Sequence, residues 1–188
     1  MSRIVAVVAS PREEGNSNAI VDAILEGAMG LSTNIIDLYS LDGLRLIHGC
    51  RGCRVCKTSG RCAQDDEISD VMEAIREADC AVFSTPVYFA AESAQFKVLE
   101  DRMFSFIGAD GKSNLEAGKR AILVVTCSGP EDAAAAATVE RLSAIIPRLG
   151  FDLTDTIVFS DVGGTRRAAD DADLMARAKA VGLTMRNT

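Results

Sequence analysis

The sequence predicts an α/β protein built on a doubly wound parallel sheet, and three observations lead to this fold class. Five short apolar segments alternate with five amphipathic segments along the 188 residues. The apolar segments are rich in Val, Ile and Ala, which is typical of parallel strands buried on both faces. Strands this apolar, alternating with helices, imply a parallel sheet covered on both faces, and right-handed crossovers leave a doubly wound sheet as the economical topology. No repeat or linker divides the sequence, so we expect a single domain over residues 1–188.

Each predicted element rests on a local pattern. Strands are predicted at residues 3–9, 34–38, 80–84, 121–126 and 155–160, and helices at residues 17–29, 66–78, 91–105, 131–146 and 166–182. In the second helix, for example, Ile68, Met72 and Ile75 recur at the spacing of one helical face. Gly30 is expected to follow the first helix as its C′ glycine, and Pro147 to end or bend the fourth helix.

The economical topology for five such strands is the flavodoxin-like order 2-1-3-4-5. In an open sheet of this kind, ligands bind beyond the carboxyl ends of the strands, where the strand order reverses. The loops after the first and third strands are therefore the places where we expect the chemistry of this protein.

The composition excludes two classes of partner. The chain carries 20 Lys and Arg against 27 Asp and Glu, a formal net charge of −7, whereas nucleic-acid binding needs clustered positive charge. No apolar run approaches the roughly 20 residues of a membrane span. The sequence enters a strand-like run directly after its first residues, without a signal-peptide pattern. We therefore expect a cytoplasmic protein that binds neither nucleic acid nor a membrane.

The loop after the first strand, SPREEGNSN at residues 10–18, has the composition of a phosphate cradle. A helix follows at once, and a helix N-terminus offers unpaired N–H groups and partial positive charge to an anion. The candidate phosphate ligands are Ser10, Arg12, Asn16, Ser17 and Asn18. The alternative is an ordinary helix cap, because Ser and Asn are favoured at that position as well.

The loop after the third strand contains a rigid proline and two aromatic residues. The segment Thr85, Pro86, Val87, Tyr88 and Phe89 has the composition of a wall for a flat ring. Tyr88 and Phe89 would alternatively cover the core or form a dimer contact.

A cluster of cysteines follows the second strand, in a cysteine-rich loop at residues 48–64. Cys50, Cys53, Cys56 and Cys62 have the spacing C-x2-C-x2-C-x5-C, with four basic residues and no acidic residue among them. A tandem run of this kind is more typical of iron–sulfur ligation than of zinc, whose sites usually use two separated pairs. Zinc or another metal, free thiols and a labile disulfide remain alternatives.

These motifs resemble those of a known family. The loop SPREEGNSN is similar to the phosphate loop of the NADPH-dependent FMN reductase family, and residues 84–89 resemble its second flavin loop. The resemblance implies an FMN site that includes both loops, with further ring contacts from Ser128 and Gly129 after the fourth strand. The four-cysteine run is similar to the compact motif of the iron–sulfur flavoprotein branch of this family, which binds a [4Fe–4S] cluster.

The resemblance implies an oxidoreductase in which FMN does the redox work and no side-chain acid or base is required. Electrons would pass between NAD(P)H or a ferredoxin-like donor, the cluster and FMN, in a homodimer or homotetramer. Two alternatives remain: a cluster-free NAD(P)H-dependent FMN or quinone reductase, and a non-enzymatic flavin redox carrier or sensor.

Overall fold

The computed structural model describes residues 2–30, 34–45, 47–130, 133, 135–161 and 164–185. The strands in this part of the chain are β1 (Arg3–Val8), β2 (Ile35–Ser40), β3 (Cys80–Tyr88), β4 (Ala91–Glu92), β5 (Lys119–Cys127) and β6 (Phe151–Ser160). Its α-helices include α1 (Asn16–Met29), α2 (Cys56–Ser59), α3 (Glu67–Glu77), α4 (Ala94–Arg102), α5 (Ala136–Leu149) and α6 (Ala172–Leu183). Short 3-10 turns cover Met103–Phe106 and Ala168–Asp170. None of the described helices combines the length and apolar character needed to cross a membrane.

The predicted fold class and strand order are confirmed. Five strands run parallel in the order β2-β1-β3-β5-β6, which is the order 2-1-3-4-5 when the parallel strands alone are counted. The short strand β4 was not predicted; it pairs antiparallel with the end of β3. Helix α4 consequently begins at Ala94 and not at residue 91. Its N-cap is Ser93, whose hydroxyl accepts a hydrogen bond from the Phe96 N–H.

The predicted C′ conformation of Gly30 is wrong, and so is an end of the fourth helix at Pro147, whereas a bend at Pro147 stays a prediction. Gly30 has a φ of −46° and so lies in the right-handed region, whereas a C′ glycine is left-handed. Pro147 lies inside helix α5, which continues to Leu149 and ends at Gly150, whose φ of 108° requires glycine. Residues 131, 132 and 134 of the predicted fourth helix lie outside the described residues.

The core consists of two layers, one on each face of the sheet. Alternate side chains of β1 enter opposite layers: Val5 and Val7 pack with α3, α4 and α5, whereas Ile4 and Ala6 pack with α1 and α6. All four of these side chains are fully buried, as the predicted two-sided burial of the first strand requires, whereas the edge strand β2 is partly exposed.

Two glycines bring the backbones of α1 and α6 into direct contact. A Cβ added to Gly27 would lie 2.1 Å from the carbonyl oxygen of Lys179, and one added to Gly182 would lie 1.9 Å from that of Ile24. No side chain fits at either position. The last helix therefore fixes the position of the helix that follows the first strand.

Candidate functional site

The loop between β1 and α1 forms a tight turn at the carboxyl edge of the sheet. The Gly15 N–H donates to the Arg12 carbonyl over 3.1 Å, and the Arg12 N–H donates to the Ser10 hydroxyl over 3.2 Å. Gly15 is the N-cap of α1, and no side chain caps the helix. The N–H groups of its first turn are therefore available to an anion. The Arg12 guanidinium is exposed and has no ion pair with the described residues.

The three polar residues at the start of α1 have different surroundings. The Ser17 hydroxyl is buried and lies 2.9 Å from the Thr126 hydroxyl of β5. The Asn16 carbonyl oxygen accepts from the Ala168 N–H over 2.9 Å, which fastens the segment before α6 to the start of α1. The Asn18 side-chain oxygen is buried without a partner among the described residues. Ser17 and Asn16 thus hold the loop in place, whereas Asn18 keeps an unused acceptor.

A cleft lies where the loops after β1, β3, β5 and β6 meet. Its lining residues are Ser10, Arg12, Gly15, Asn16, Ser17, Pro86, Val87, Tyr88, Thr126, Cys127, Ser128 and Asp161. Eight of them were predicted from the sequence. The other four, Gly15, Thr126, Cys127 and Asp161, were not assigned to the site. Three of these four directly follow or end a parallel strand, which is the signal that could have identified them.

Four predicted site residues do not line the cleft. Thr85 is fully buried, and its hydroxyl accepts from the Ser93 N–H over 3.0 Å. The Gly129 carbonyl accepts a hydrogen bond from the Ser160 hydroxyl. The side-chain oxygen of Asn18 is buried away from the lining, and Phe89 is fully exposed at the tip of the β3–β4 hairpin. The contact of these four residues with a ligand stays a prediction.

The β3–β4 hairpin turns through an unusual backbone conformation. Phe89 and Ala90 have φ values of 51° and 61°, a region that non-glycine residues seldom adopt. The hairpin is held by an ion-pair cluster in which Arg141 of α5 pairs with Glu92 and, through both η nitrogens, with Glu100 over 2.8 and 2.9 Å. Hydrogen bonds to Glu100 raise the pKa of Arg141. The turn that carries Tyr88 to the cleft is thus fixed from α5.

The four clustered cysteines line a second cavity, which lies beside the short 3-10 helix Met103–Phe106 that follows α4. The cavity is lined by Cys50, Arg51, Cys53, Arg54, Cys56, Cys62, Ala63, Gln64, Arg102, Phe104 and Ser105. Cys56 is buried, Cys62 is half-buried, and Cys50 and Cys53 are exposed. No three Cys, His, Asp or Glu side chains of the described residues lie close enough together to hold a metal ion. The four thiols thus share one cavity but are not drawn together.

The four basic residues of the cysteine-rich loop have different roles in the structure. Arg51 and Arg54 line the cavity with exposed side chains. Lys57 donates to the Phe104 carbonyl over 2.7 Å and lies 3.3 Å above the centre of its ring. Arg61 forms an ion pair with Glu73 on α3. Two of the four cations therefore face the thiols.

A fifth cation, Arg102 at the end of α4, was missed by the sequence analysis. Its side chain is fully buried, and its Nε donates to the Cys62 Sγ over 3.1 Å. Burial opposes its charge, but the hydrogen bonds to Asp66 and Cys62 outweigh burial and raise the pKa of Arg102. Asp66 also caps α3, through a capping box with Ser69. Residues 36 to 40 positions apart form this cluster, so no local pattern could have revealed it.

Known proteins resemble this chain in sequence and in fold. The model of the NADPH-dependent FMN reductase family matches residues 2–152. An iron–sulfur flavoprotein of Methanocaldococcus jannaschii is 33% identical over 102 residues, which are 53% of this chain and 51% of that protein. The chain spans about half the length of the curated relatives it matches.

Two solved structures share the fold over almost the whole chain. An NAD(P)H:quinone oxidoreductase from Methanothermobacter marburgensis superposes with a TM-score of 0.73 at 15% identity, over 98% of this chain and 99% of that one. An FMN-dependent NADH-azoreductase from Bacillus anthracis, in complex with FMN, has a TM-score of 0.72 at 14% identity, over 98% and 100% of the two chains. At these identities the likeness extends to the fold alone.

Proposed function

The chain belongs to the NADPH-dependent FMN reductase family, and from this premise we propose that it is an oxidoreductase that holds FMN in the cleft at the carboxyl edge of its sheet. One observation carries the proposal: the cleft faces the start of α1, a 14-residue helix with no side-chain cap. An anion at that position completes the hydrogen bonding of the first turn. We propose that residues 1–188 form a single FMN-binding domain.

The residues of the cleft fit the three parts of FMN. The N–H groups of the first turn of α1, the Ser10 hydroxyl and the Arg12 guanidinium bind the phosphate. Pro86, Val87 and Tyr88 face one side of the ring, and Ser128 faces it from the end of β5. Asn18 lies outside the lining of the cleft, and its buried, unpartnered oxygen is proposed as an acceptor for a ribityl hydroxyl. FMN supplies hydride and single-electron transfer when bound, and the protein orients and shields it.

We further propose that the cysteine cavity holds a [4Fe–4S] cluster with Cys50, Cys53, Cys56 and Cys62 as its ligands. Four thiols around one cavity are the ligand set of such a cluster, and the facing cations offset its negative charge. Electrons pass between NAD(P)H or a ferredoxin-like protein, the cluster and FMN. The chain acts as a homodimer or homotetramer. The names of the curated relatives support the cluster.

Anaerobic purification tests both cofactors on one sample. We expect flavin absorbance with one FMN per chain, and about four irons and four sulfides per chain after reconstitution. Steady-state oxidation of NADH and NADPH then measures the reductase activity. A protein that binds no FMN after reconstitution refutes the proposed function.

A pair of cysteine variants separates the cluster from the flavin. Cys56→Ser is expected to lose iron and to retain FMN, because the two cavities have separate linings. Cys80→Ala is the matched control, since Cys80 is buried in strand β3 away from the cavity. Equal iron contents in the two variants contradict the proposed ligand set.

The exposure of Cys50 and Cys53 favours a second candidate, a cluster-free NAD(P)H-dependent FMN or quinone reductase with reactive thiols. FMN and NAD(P)H oxidation without iron after anaerobic reconstitution identifies this alternative. FMN without NAD(P)H oxidation identifies a carrier or sensor.

A further inference from the structure

We propose that Arg102 is a positioning residue of the cysteine cavity, whose buried guanidinium holds Cys62 in place and raises the reduction potential of the cluster bound there. This inference rests on the proposed cluster. It concerns a residue outside the cysteine motif, on a different helix.

The hydrogen bonds of Arg102 close the cysteine-rich loop at both ends. Nη1 donates to the His48 carbonyl over 3.1 Å, before the first cysteine of the motif. Nη2 donates to the Gln64 carbonyl over 3.2 Å, and Nη1 to the Asp66 carboxylate over 2.7 Å, after the last cysteine. One side chain of α4 thus joins the two ends of the segment that carries all four thiols.

The third guanidinium nitrogen of Arg102, Nε, is directed at a sulfur atom. Nε–H donates to the Cys62 Sγ over 3.1 Å, within the sulfur hydrogen-bond range. The side chain of Arg102 is 0% exposed, and that of Asp66 is 11% exposed. Little water therefore screens the guanidinium from the sulfur, and a charge in such surroundings acts more strongly than one in water.

The direction of the effect follows from the sign of the charge. Reduction adds one electron to a cluster, and hydrogen bonds to its sulfur atoms stabilise the added negative charge. The cationic donor at Cys62 is therefore expected to favour the reduced state. Removing its charge also leaves the Asp66 carboxylate without its partner, which disfavours reduction further.

Exposed arginines of the same cavity provide the contrast. Arg51 lines the cavity with an exposed side chain, and no hydrogen bond to sulfur joins it to the described cysteines. Water and salt screen such a charge. Arg51→Gln and Arg102→Gln thus remove the same charge from the same cavity, but only the second removes a buried donor to sulfur.

The test compares the reduction potentials of anaerobically reconstituted wild type, Arg102→Gln and Arg51→Gln, measured by stepwise reduction with dithionite and followed by electron paramagnetic resonance. We expect Arg102→Gln to lower the reduction equilibrium constant at least tenfold, which is about 59 mV for one electron, and Arg51→Gln to lower it less. Arg102→Lys keeps the charge and is expected to fall between wild type and Arg102→Gln. A potential unchanged in Arg102→Gln, or an equal shift in Arg51→Gln, overturns the inference.

FMN content serves as the independent measure of folding. If Arg102→Gln binds no FMN, the neutral pair Arg102→Gln with Asp66→Asn replaces it, because that pair leaves no unpaired carboxylate in the interior; its potential is also expected to fall, and an unchanged one overturns the inference. Wild type that takes up no iron refutes the proposed cluster and the inference with it. Wild type that takes up iron, with a variant of unchanged potential, refutes the inference alone.

Discussion

Replacing Arg12 by Gln tests whether the loop after β1 binds the phosphate of FMN. Arg12 lines the cleft, and its exposed guanidinium has no ion pair with the described residues. Its positive charge is therefore available to a ligand. Glutamine has a shorter side chain that keeps a hydrogen-bond donor but carries no charge.

The size of the effect follows from the exposure of Arg12. Hydrogen bonds to charged groups contribute about 1.5–3 kcal/mol, and exposure to water places Arg12 at the lower end of this range. A loss of about 1.5 kcal/mol corresponds to a roughly tenfold increase in the Kd of FMN. Riboflavin has the same ring and ribityl chain without the phosphate, so its Kd is expected to stay unchanged.

Quenching of flavin fluorescence measures both affinities on the same apoprotein. Added salt is expected to weaken FMN binding to the wild type more than to the variant, because salt screens the charge that the variant lacks. Arg148→Gln is the control, since Arg148 is exposed in the last turn of α5, where the chain enters the opposite edge of the sheet. Equal losses of FMN and riboflavin affinity, or no loss of either, would refute the phosphate site.

Three further substitutions test other parts of the structure. Gly15→Val would place a Cβ 3.0 Å from the Arg12 carbonyl oxygen, so we expect FMN affinity to fall at least tenfold by fluorescence titration; an unchanged Kd contradicts the cradle geometry. Arg141→Met removes the shared partner of the Glu92 and Glu100 carboxylates, and because Arg141 is itself one-third exposed we expect the free energy of unfolding in urea to fall by roughly 2 kcal/mol. Adding Glu92→Gln should recover part of this loss, and no recovery contradicts the ion pair. Burial raises the pKa of the Cys80 thiol above its ordinary value of 9.0, so the folded state keeps the proton to higher pH than the unfolded state. The resulting stability is complete below pH 9.0 and is lost as pH rises above it; unfolding free energies of wild type and Cys80→Ala should therefore converge above pH 9.0, and parallel curves contradict the burial effect.

The sheet and the place of its cleft were predictable because local patterns encode them. Buried strands leave apolar runs, and the order of strands decides where their carboxyl ends meet. The polar loop that lines the cleft beside α1 was predictable for the same reason, since its residues directly follow β1. The hairpin strand β4 was not predictable, because two residues carry no periodicity.

The contacts that fix the residues around each of the two cavities join parts of the chain that are far apart in sequence. Asn16 accepts from Ala168, and Arg102 donates to Cys62 and to Asp66. Nothing in the neighbourhood of Arg102 distinguishes it from a solvated arginine of an amphipathic helix. Only the folded structure shows that α4 ends inside the cysteine-rich loop.

The close approach of α1 and α6 at Gly27 and Gly182 bears on how this protein can be recombined with others. The family model matches residues 2–152, whereas helix α6 covers Ala172–Leu183. The helix that fixes the position of α1, and with it the turn between β1 and α1, thus lies beyond the matched region. A chimaera that joins residues 1–152 to the last helix of another protein needs a glycine in that helix where it packs against α1, as Gly182 does here. The two helices, from opposite ends of the chain, are in practice a single exchangeable part.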